Sequence, residues 1–406
     1  MKKKNGFLYI VALILFNVTV FTDFLPYNTM VKFIALILLL VDFILVGRQK
    51  IAISPLLRPL LWLNIVIALN GLVGGDLSFI FTFTINVLSI ILAVQSPIFA
   101  KTEVKIMSVL LTVHLACAFF VELAPSTVVD DVFSRIILNR YNSNFSWRNV
   151  TGINVGLTNQ PGVLSAYMVA LSALFFAKYC NKKKLRYIIG YILSTAVILL
   201  TTKRSAILFS IIALVSVGVI FAGRRIKKHL NKHFGKYTMF VVVGVLLSFE
   251  LNKKFDLLTG ILDKNETLLE NNDLSNGRFS IWKDAITYFL DKPVFGIGFK
   301  NYYQINGYDI HNTYIQFLVE AGVVGFIVLV INVLKILTSS IAGLRRKNKD
   351  GLSHMDVPAI VGVYLLIFLI LYGFVGNTFI DYAPLSLFMI SVGLINSDVY
   401  STEKQI

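Results

Sequence analysis

The chain has 406 residues, of which 56% are hydrophobic and only 15% charged, with a mean hydropathy of +0.74. Soluble domains carry about a quarter charged residues, so a soluble enzyme is excluded and a polytopic membrane protein, nearly all of it one membrane domain, is indicated. The net charge is +16, and the two cysteines, Cys117 and Cys180, lie in or beside apolar stretches, which excludes a disulfide framework and a cysteine-based metal site.

Met1-Lys2-Lys3-Lys4 precedes an apolar run from Phe7. The pattern is like a signal peptide, but no small-residue cleavage site follows, and Asp23, Pro26 and a second apolar run come next, so an uncleaved first helix is expected. Apolar stretches of spanning length fall near 6–22, 30–46, 57–74, 78–99, 105–122, 161–178, 187–202, 205–223, 237–252, 313–342, 357–375 and 379–397. They predict an all-α fold of about twelve transmembrane helices with both termini on one side. The seventh and eighth are separated only by Lys203-Arg204, which requires a tight hairpin.

Placing the N-terminus in the cytoplasm puts Arg48, Lys50, Arg58, Lys101, Lys105 and the basic clusters at 178–186, 224–236 and 335–349 on the inner side. The basic excess is thus a topogenic and lipid-headgroup signal, and a nucleic-acid partner is not expected. Two long loops fall outside, 123–160 and the larger 253–312. The first carries Arg135, Arg140 and Arg148, with Asp130-Asp131 nearby to neutralise them. No internal repeat of the kind many transporters show is evident.

The second loop holds the candidate chemistry. An amphipathic helix starts at Ser275 or Asn276-Gly277, carries Phe279, Trp282, Ile286 and Phe289 on one face, and ends before Pro293. It either lies in the membrane plane or packs on the bundle, and both hold Arg278 near the membrane surface. Gly296-Ile297-Gly298 follows; such a turn presents N–H groups to a phosphate or is a plain turn. His311 stands at the outer mouth of the tenth stretch, where its ordinary pKa near 6.5 suits a general base. An interfacial histidine bonded to a lipid headgroup fits the same position.

Glu320 lies about 13 Å further along that helix, an intramembrane carboxylate that calls for a partner or a wet cavity. Gly322 and Gly325 beside it are expected to allow close helix packing. Lys203-Arg204 runs against the charge bias at an outer tip, where it either binds phosphate or snorkels to headgroups. No Walker-type loop, Gly-x-Ser-x-Gly elbow, His-Glu-x-x-His or Asp-x-Asp pair is present, so an ATPase, lipase, zinc protease or nucleotide-sugar transferase is unsupported.

Together these residues resemble the O-antigen ligase and polymerase superfamily of bacterial envelope glycan transferases. Three segments carry the resemblance: Thr202-Lys203-Arg204-Ser205-Ala206; Gly277-Arg278 with Trp282 and Asp291-Lys292-Pro293-Val294-Phe295-Gly296-Ile297-Gly298; and His311-Asn312 followed by Glu320-Ala321-Gly322 and Gly325. Asn159-Gln160-Pro161 is a weaker echo, and the matching core spans about 155–330. The resemblance implies a GT-C-like bundle in the bacterial cytoplasmic membrane, acting at its outer face without a metal or other cofactor. The implied donor is a glycan on undecaprenyl diphosphate. Arg204 and Arg278 would hold the diphosphate, and His311 would deprotonate the attacking sugar hydroxyl. Lys203, Asn312, Gly296, Gly298, Tyr314 and Glu320 would line the substrate site. Lys203 stands where the family often has a small hydroxyl residue, so either Lys203 or Arg204 meets the phosphate.

A polymerase, joining lipid-linked repeats, is favoured over a ligase that passes the glycan to a lipid A core or other acceptor. The loop is of moderate size, and basic residues on both outer loops suit two lipid diphosphates. Membrane lipids are expected partners, and a chain-length regulator or flippase is a candidate one. The competing class is a polysaccharide transporter or flippase. The scarcity of interior charges, chiefly Asp42 and Glu320, argues against it.

Overall fold

The computed structural model describes residues 6–22, 28–48, 50–124, 127–129, 132, 153–158, 160–221, 277–347 and 355–400. Among these residues all regular structure is helical. α1 (Gly6–Phe21) and α2 (Asn28–Leu45) form a hairpin; α3 (Arg58–Asn70) ends in a 3-10 turn (Gly71–Val73) and returns as α4 (Leu77–Ala93), followed by α5 (Phe99–Leu123). α6 (Pro161–Lys182), α7 (Leu185–Leu200) and α8 (Arg204–Ile220) come next. α9 (Arg278–Asp291), the short α10 (Asn301–Asn306), α11 (Thr313–Lys347), α12 (Val357–Tyr372) and α13 (Tyr382–Tyr400) complete the order.

Helices stand in every predicted apolar stretch except 237–252, which lies outside the described residues along with Arg135, Arg140, Arg148, Asp130, Asp131, Asn159 and Ser275-Asn276. By length and composition α2, α5, α6, α11 and α13 suffice to cross a membrane, while α1, α3 with its turn, α4, α7, α8 and α12 are apolar but shorter. Local chemistry sets their ends. Asp76 caps α4 by accepting the Ser78 and Phe79 N–H groups at 2.7 and 3.1 Å. Proline opens α3, α6 and α12, where a missing N–H is harmless.

α6, α12 and α13 are apolar on every side and form the centre of the bundle. Around them, α2 exposes Phe33, Ile37, Leu40 and Ile44, α8 exposes Leu208, Ile212, Val215 and Val219, and α11 exposes Val324, Ile327, Ile331 and Leu334. Apolar stripes this long on an outer surface are tolerable only against lipid, so the protein is membrane-embedded.

The interior is more polar than the sequence suggested. Besides Asp42 and Glu320, it buries Lys32, Glu103 and His114. α5 begins at Phe99, six residues before the predicted stretch, and this brings Glu103 inside, where Asn17 donates to it at 2.9 Å. Lys32 on α2 reaches Ser386 on α13 at 3.4 Å. The scarcity of interior charge is therefore corrected: Lys32 and His114 lie within apolar runs and are buried there, and Glu103 enters because α5 extends past its run.

The feature that shapes this end of the bundle is a break in α11. Gly322 has φ +67° and ψ −173°, which interrupts the helical bonds of Val323 to Val319 and of Val324 to Glu320. Residues 293–298 lie across the gap as a backbone strap. The Val323 and Val324 N–H groups donate to the Pro293 and Val294 carbonyls at 2.8 and 3.3 Å, and the Ile297 and Gly298 N–H groups donate to the Val319 and Glu320 carbonyls at 3.1 and 2.9 Å. All four groups orphaned by the break are thus satisfied, as burial requires. Asn70 at the end of α3 locks the assembly: its amide donates to the Glu320 carbonyl at 3.1 Å and accepts the Phe299 N–H at 2.6 Å.

This strap corrects two expectations. Gly296 and Gly298 do not present N–H groups to a phosphate, because the Gly296 N–H donates to the Lys292 carbonyl at 3.0 Å and that of Gly298 is spent on the break. Glycine is needed at 296 because a Cβ there would lie 2.4 Å from the Glu320 carbonyl carbon. Gly322 likewise serves close approach of the strap rather than of a helix, since its Cβ would sit 2.2 Å from the Val294 oxygen. Gly325 does face a helix, with Val66 of α3 3.8 Å from its would-be Cβ.

α9 packs on α11 as an ordinary amphipathic helix. Its packed face is Ile281, Trp282, Ala285, Tyr288 and Phe289, whereas Phe279 is exposed, so the inward face is rotated from the one read in sequence. Ala285 is the fully buried residue of this face, with Ile281, Trp282, Tyr288 and Phe289 partly buried about it. Trp282 Nε1 donates to the Ile310 carbonyl at 3.0 Å and ties α9 to the segment that carries His311.

Candidate active site

Four chain ends meet at one end of the bundle. The α7–α8 hairpin turns through Thr202, whose φ is +52°, and sets Lys203 and Arg204 at the first residues of α8. Gly162 in the first turn of α6 faces both Lys203 and α12. A Cβ there would meet the Tyr372 hydroxyl at 3.2 Å and Lys203 Cε at 3.9 Å. Gly277 (φ +79°) starts α9 and aims Arg278 at the same place. Burial holds the Arg278 guanidinium below its usual pKa; nearby Tyr372 opposes the shift, and the charge of Arg204 adds to it. Arg278 remains a full cation at any physiological pH.

His311 completes the cluster immediately before α11. Its outer edge is exposed, yet the protein packed around it lowers its pKa; Asp309 raises it, and Arg278, Lys203 and Lys300 lower it further. Lys300 bonds Asp309 at 3.3 Å. Burial works against the Lys300 charge, but the carboxylates of Asp309, Asp381 and Glu320 outweigh it and raise its pKa. Asp381, in the turn before α13, is pushed up to about 7, chiefly by burial, with Lys300 opposing.

Backbone strain concentrates here. Among the described residues the non-glycine positions with positive φ are Lys183, Thr202, Lys300 and His311. Lys183 merely ends α6, whereas the other three stand at this cluster. Such conformations cost roughly 1–3 kcal/mol each and survive where the surroundings over-determine them, most often at functional sites.

Other sequence candidates take supporting positions. Asn312 caps α11: its Oδ1 accepts the Tyr314 and Ile315 N–H groups at 3.0 and 3.1 Å, and its Nδ2 donates to the Phe374 carbonyl at 3.0 Å. Its polar atoms are thereby used, and the expectation of substrate contact is corrected to a helix cap. Tyr314 is corrected likewise. Its hydroxyl donates to the Ile370 carbonyl at 2.7 Å, and its ring packs on Phe374 with centroids 4.5 Å apart. Glu320 is fully buried and accepts from Gln316 at 3.1 Å; it acts on the cluster through Lys300. Among the described residues no group of His, Cys, Asp and Glu side chains is arranged to hold a metal ion.

Lys300, Asp309, Tyr372 and Asp381 were missed in the sequence. Asp309 carried a signal, being a carboxylate two residues before the candidate base His311. Tyr372 and Asp381 carried none, because they arrive from a later part of the chain by tertiary folding.

The family model described as O-antigen ligase matches residues 189–330, about a third of the chain. Over these residues the chain is similar to the O-antigen ligase family. That stretch runs from α7 through the break in α11 and contains Lys203, Arg204, Arg278, Lys300, Asp309, His311 and Glu320. The O-antigen ligase/polymerase family comprises glycosyltransferase-like enzymes working on lipid-linked polysaccharide in a membrane. No curated protein matches the chain.

Proposed function

We propose that the protein is a polymerase of a bacterial surface polysaccharide. It transfers a glycan from undecaprenyl diphosphate to a hydroxyl of a second lipid-linked repeat, at the outer face of the cytoplasmic membrane and without a metal. The observation that carries this reading is the gathering of Lys203 and Arg278 about His311, with Arg204 beside Arg278, at one end of the bundle.

The chemistry follows from that gathering. The sugar C1–O bond to the diphosphate breaks, and the leaving diphosphate takes the electron pair. Arg204 and Arg278 face the developing charge and stabilise it, as fixed cations do best in a partly desolvated site. His311 takes the proton of the attacking hydroxyl, whose oxygen forms the new bond to C1. Burial first, and then the neighbouring cations, lower the His311 pKa and favour the neutral imidazole, the form a base requires. Asp309 raises the same pKa and limits that effect. Polymerase is favoured over ligase for the reasons legible in sequence, loop size and the basic residues of both outer loops.

A gel of surface glycans tests the reading. Cells lacking the gene are expected to show single repeats, and the wild-type gene is expected to restore a ladder. Long lipid-linked chains accumulating in the knockout instead would assign a ligase, and full rescue by the Arg204→Ala, Arg278→Ala and His311→Ala variants would support the transporter class.

The pH profile tests the base. kcat/KM is expected to fall with acid at a midpoint below the ordinary histidine value of about 6.5. Asp309→Asn removes the charge that raises the His311 pKa and is expected to move that limb to lower pH. An upward shift contradicts the assignment.

A further inference from the structure

We infer a carbohydrate subsite, separate from the reacting centre, at the far end of α9; the inference rests on the glycan-transferase reading above. A cavity of about 390 Å³ opens there, lined by Tyr288, Asp291, Lys292, Ile297, Asn301 and Gln304 among its residues. Its size lies within the range of small-ligand sites, about 300–1,000 Å³.

The lining fits a sugar better than a phosphate or a lipid tail. Asp291 and Lys292 cancel in charge, so no excess cation attracts an anion. Asp291 accepts hydrogen bonds, Lys292 donates them, the Gln304 amide offers both, and Asn301 offers its amide oxygen as an acceptor. Tyr288 and Ile297 supply an aromatic and an aliphatic wall for the C–H face of a pyranose. Multiple neighbouring donors and acceptors beside an apolar wall match a polyhydroxylated ring.

The walls are held in place before any ligand arrives. Asn301 Nδ2 donates to the Gly74 carbonyl at 3.0 Å and to that of Ile297 at 2.6 Å, which fixes the amide. The Tyr288 ring packs edge-on against Tyr302 with centroids 5.5 Å apart, and Tyr302 donates to Asp284 at 2.8 Å. Ile297 belongs to the strap that fills the break in α11. The cavity therefore shares its floor with the helix that follows His311.

Its position sets its role. Asp291 lies thirteen residues along α9 from Arg278, about 20 Å at the helical rise. A sugar bound there is not the one whose bond breaks but one several units along the glycan. The subsite would hold the distal part of a lipid-linked glycan, favour chains long enough to reach it, and so support repeated extension.

The test uses the full-length protein in nanodiscs and, as probe, free oligosaccharide released by mild acid from the host's own surface glycan. Saturation-transfer NMR is expected to detect binding to wild type, weakened at least tenfold in the Asp291→Ala/Gln304→Ala double variant and retained in Arg278→Ala. Both altered positions are solvent-exposed, and membrane levels check folding. In cells the double variant is expected to give a shortened ladder with single additions intact. Equal binding by the double variant and wild type overturns the subsite, as does binding lost in Arg278→Ala but kept in the double variant. Because the NMR arm needs no turnover, it is read independently of whether the gel supports a polymerase.

Discussion

Replacing Arg278 with alanine is expected to slow glycan transfer by about 10²–10³-fold, or roughly 3–4 kcal/mol at the transition state. Arg278 is the first residue of α9, half-buried, within range of Arg204, His311 and Tyr372. On the proposed chemistry it meets the diphosphate as negative charge builds there. Its removal leaves that charge to Lys203 and Arg204 alone. The loss is expected in kcat, with protein level in the membrane unchanged, because few packing contacts depend on a half-buried guanidinium at a helix start. Arg278→Lys is expected to recover only part of the rate, since an ammonium lacks the planar fork that grips two phosphate oxygens. A purified Arg278→Ala protein with wild-type kcat removes Arg278 from the mechanism.

The second large effect is on folding. Gly322→Ala is expected to destabilise the protein by roughly 3–5 kcal/mol, combining a glycine-only backbone conformation with a steric clash. At φ +67° and ψ −173° an L side chain is strained, and its Cβ would lie 2.2 Å from the Val294 carbonyl oxygen. Backbone cannot swing aside as a side chain does, so either the strap lifts or the helix straightens. Both outcomes uncouple residues 293–298 from α11 and displace His311. Gly307→Ala is the control. It has φ +79° with open space around it, so only the backbone term of about 1–2 kcal/mol applies. Thermal unfolding of the two variants in detergent, followed with residual transfer activity, checks the contrast. Equal losses would mean that the strap does not depend on close approach at Gly322.

These two expectations differ in how far the sequence announces them. The helices were legible because burial in lipid demands long apolar runs, and those runs mark most of their boundaries. The start of α9 at Gly277 and its stop before Pro293 were legible for the same local reasons. Lys203, Arg204, Arg278 and His311 stood out at loop–helix junctions of an apolar chain, and the structure brings Arg278 within electrostatic range of Arg204 and His311, and Lys203 within range of His311.

The strap was not legible. Its bonds join residues 293–298 to 319–324 through backbone groups, which leave no periodic side-chain signature. Gly296-Ile297-Gly298 accordingly read as an anion turn, and Gly322 as a helix-packing glycine. Asn312 was different, since an asparagine just before an apolar helical run is a capping signal. Its place beside His311 drew attention to chemistry instead. Asn70, Tyr372 and Asp381 offered nothing locally; each acquires its position only when distant helices pack.

On the proposed chemistry, glycan transfer occurs at His311, with Lys203 and Arg278 around it and Arg204 beside Arg278. The most direct measurement is turnover by the purified full-length protein in nanodiscs, supplied with polyprenyl-diphosphate-linked repeats in the presence of a chelator. Wild type is expected to release polyprenyl diphosphate and build longer lipid-linked glycans, while a correctly folded His311→Ala variant binds the same lipid and forms neither product. A His311→Ala variant that turns over at the wild-type rate would contradict the account.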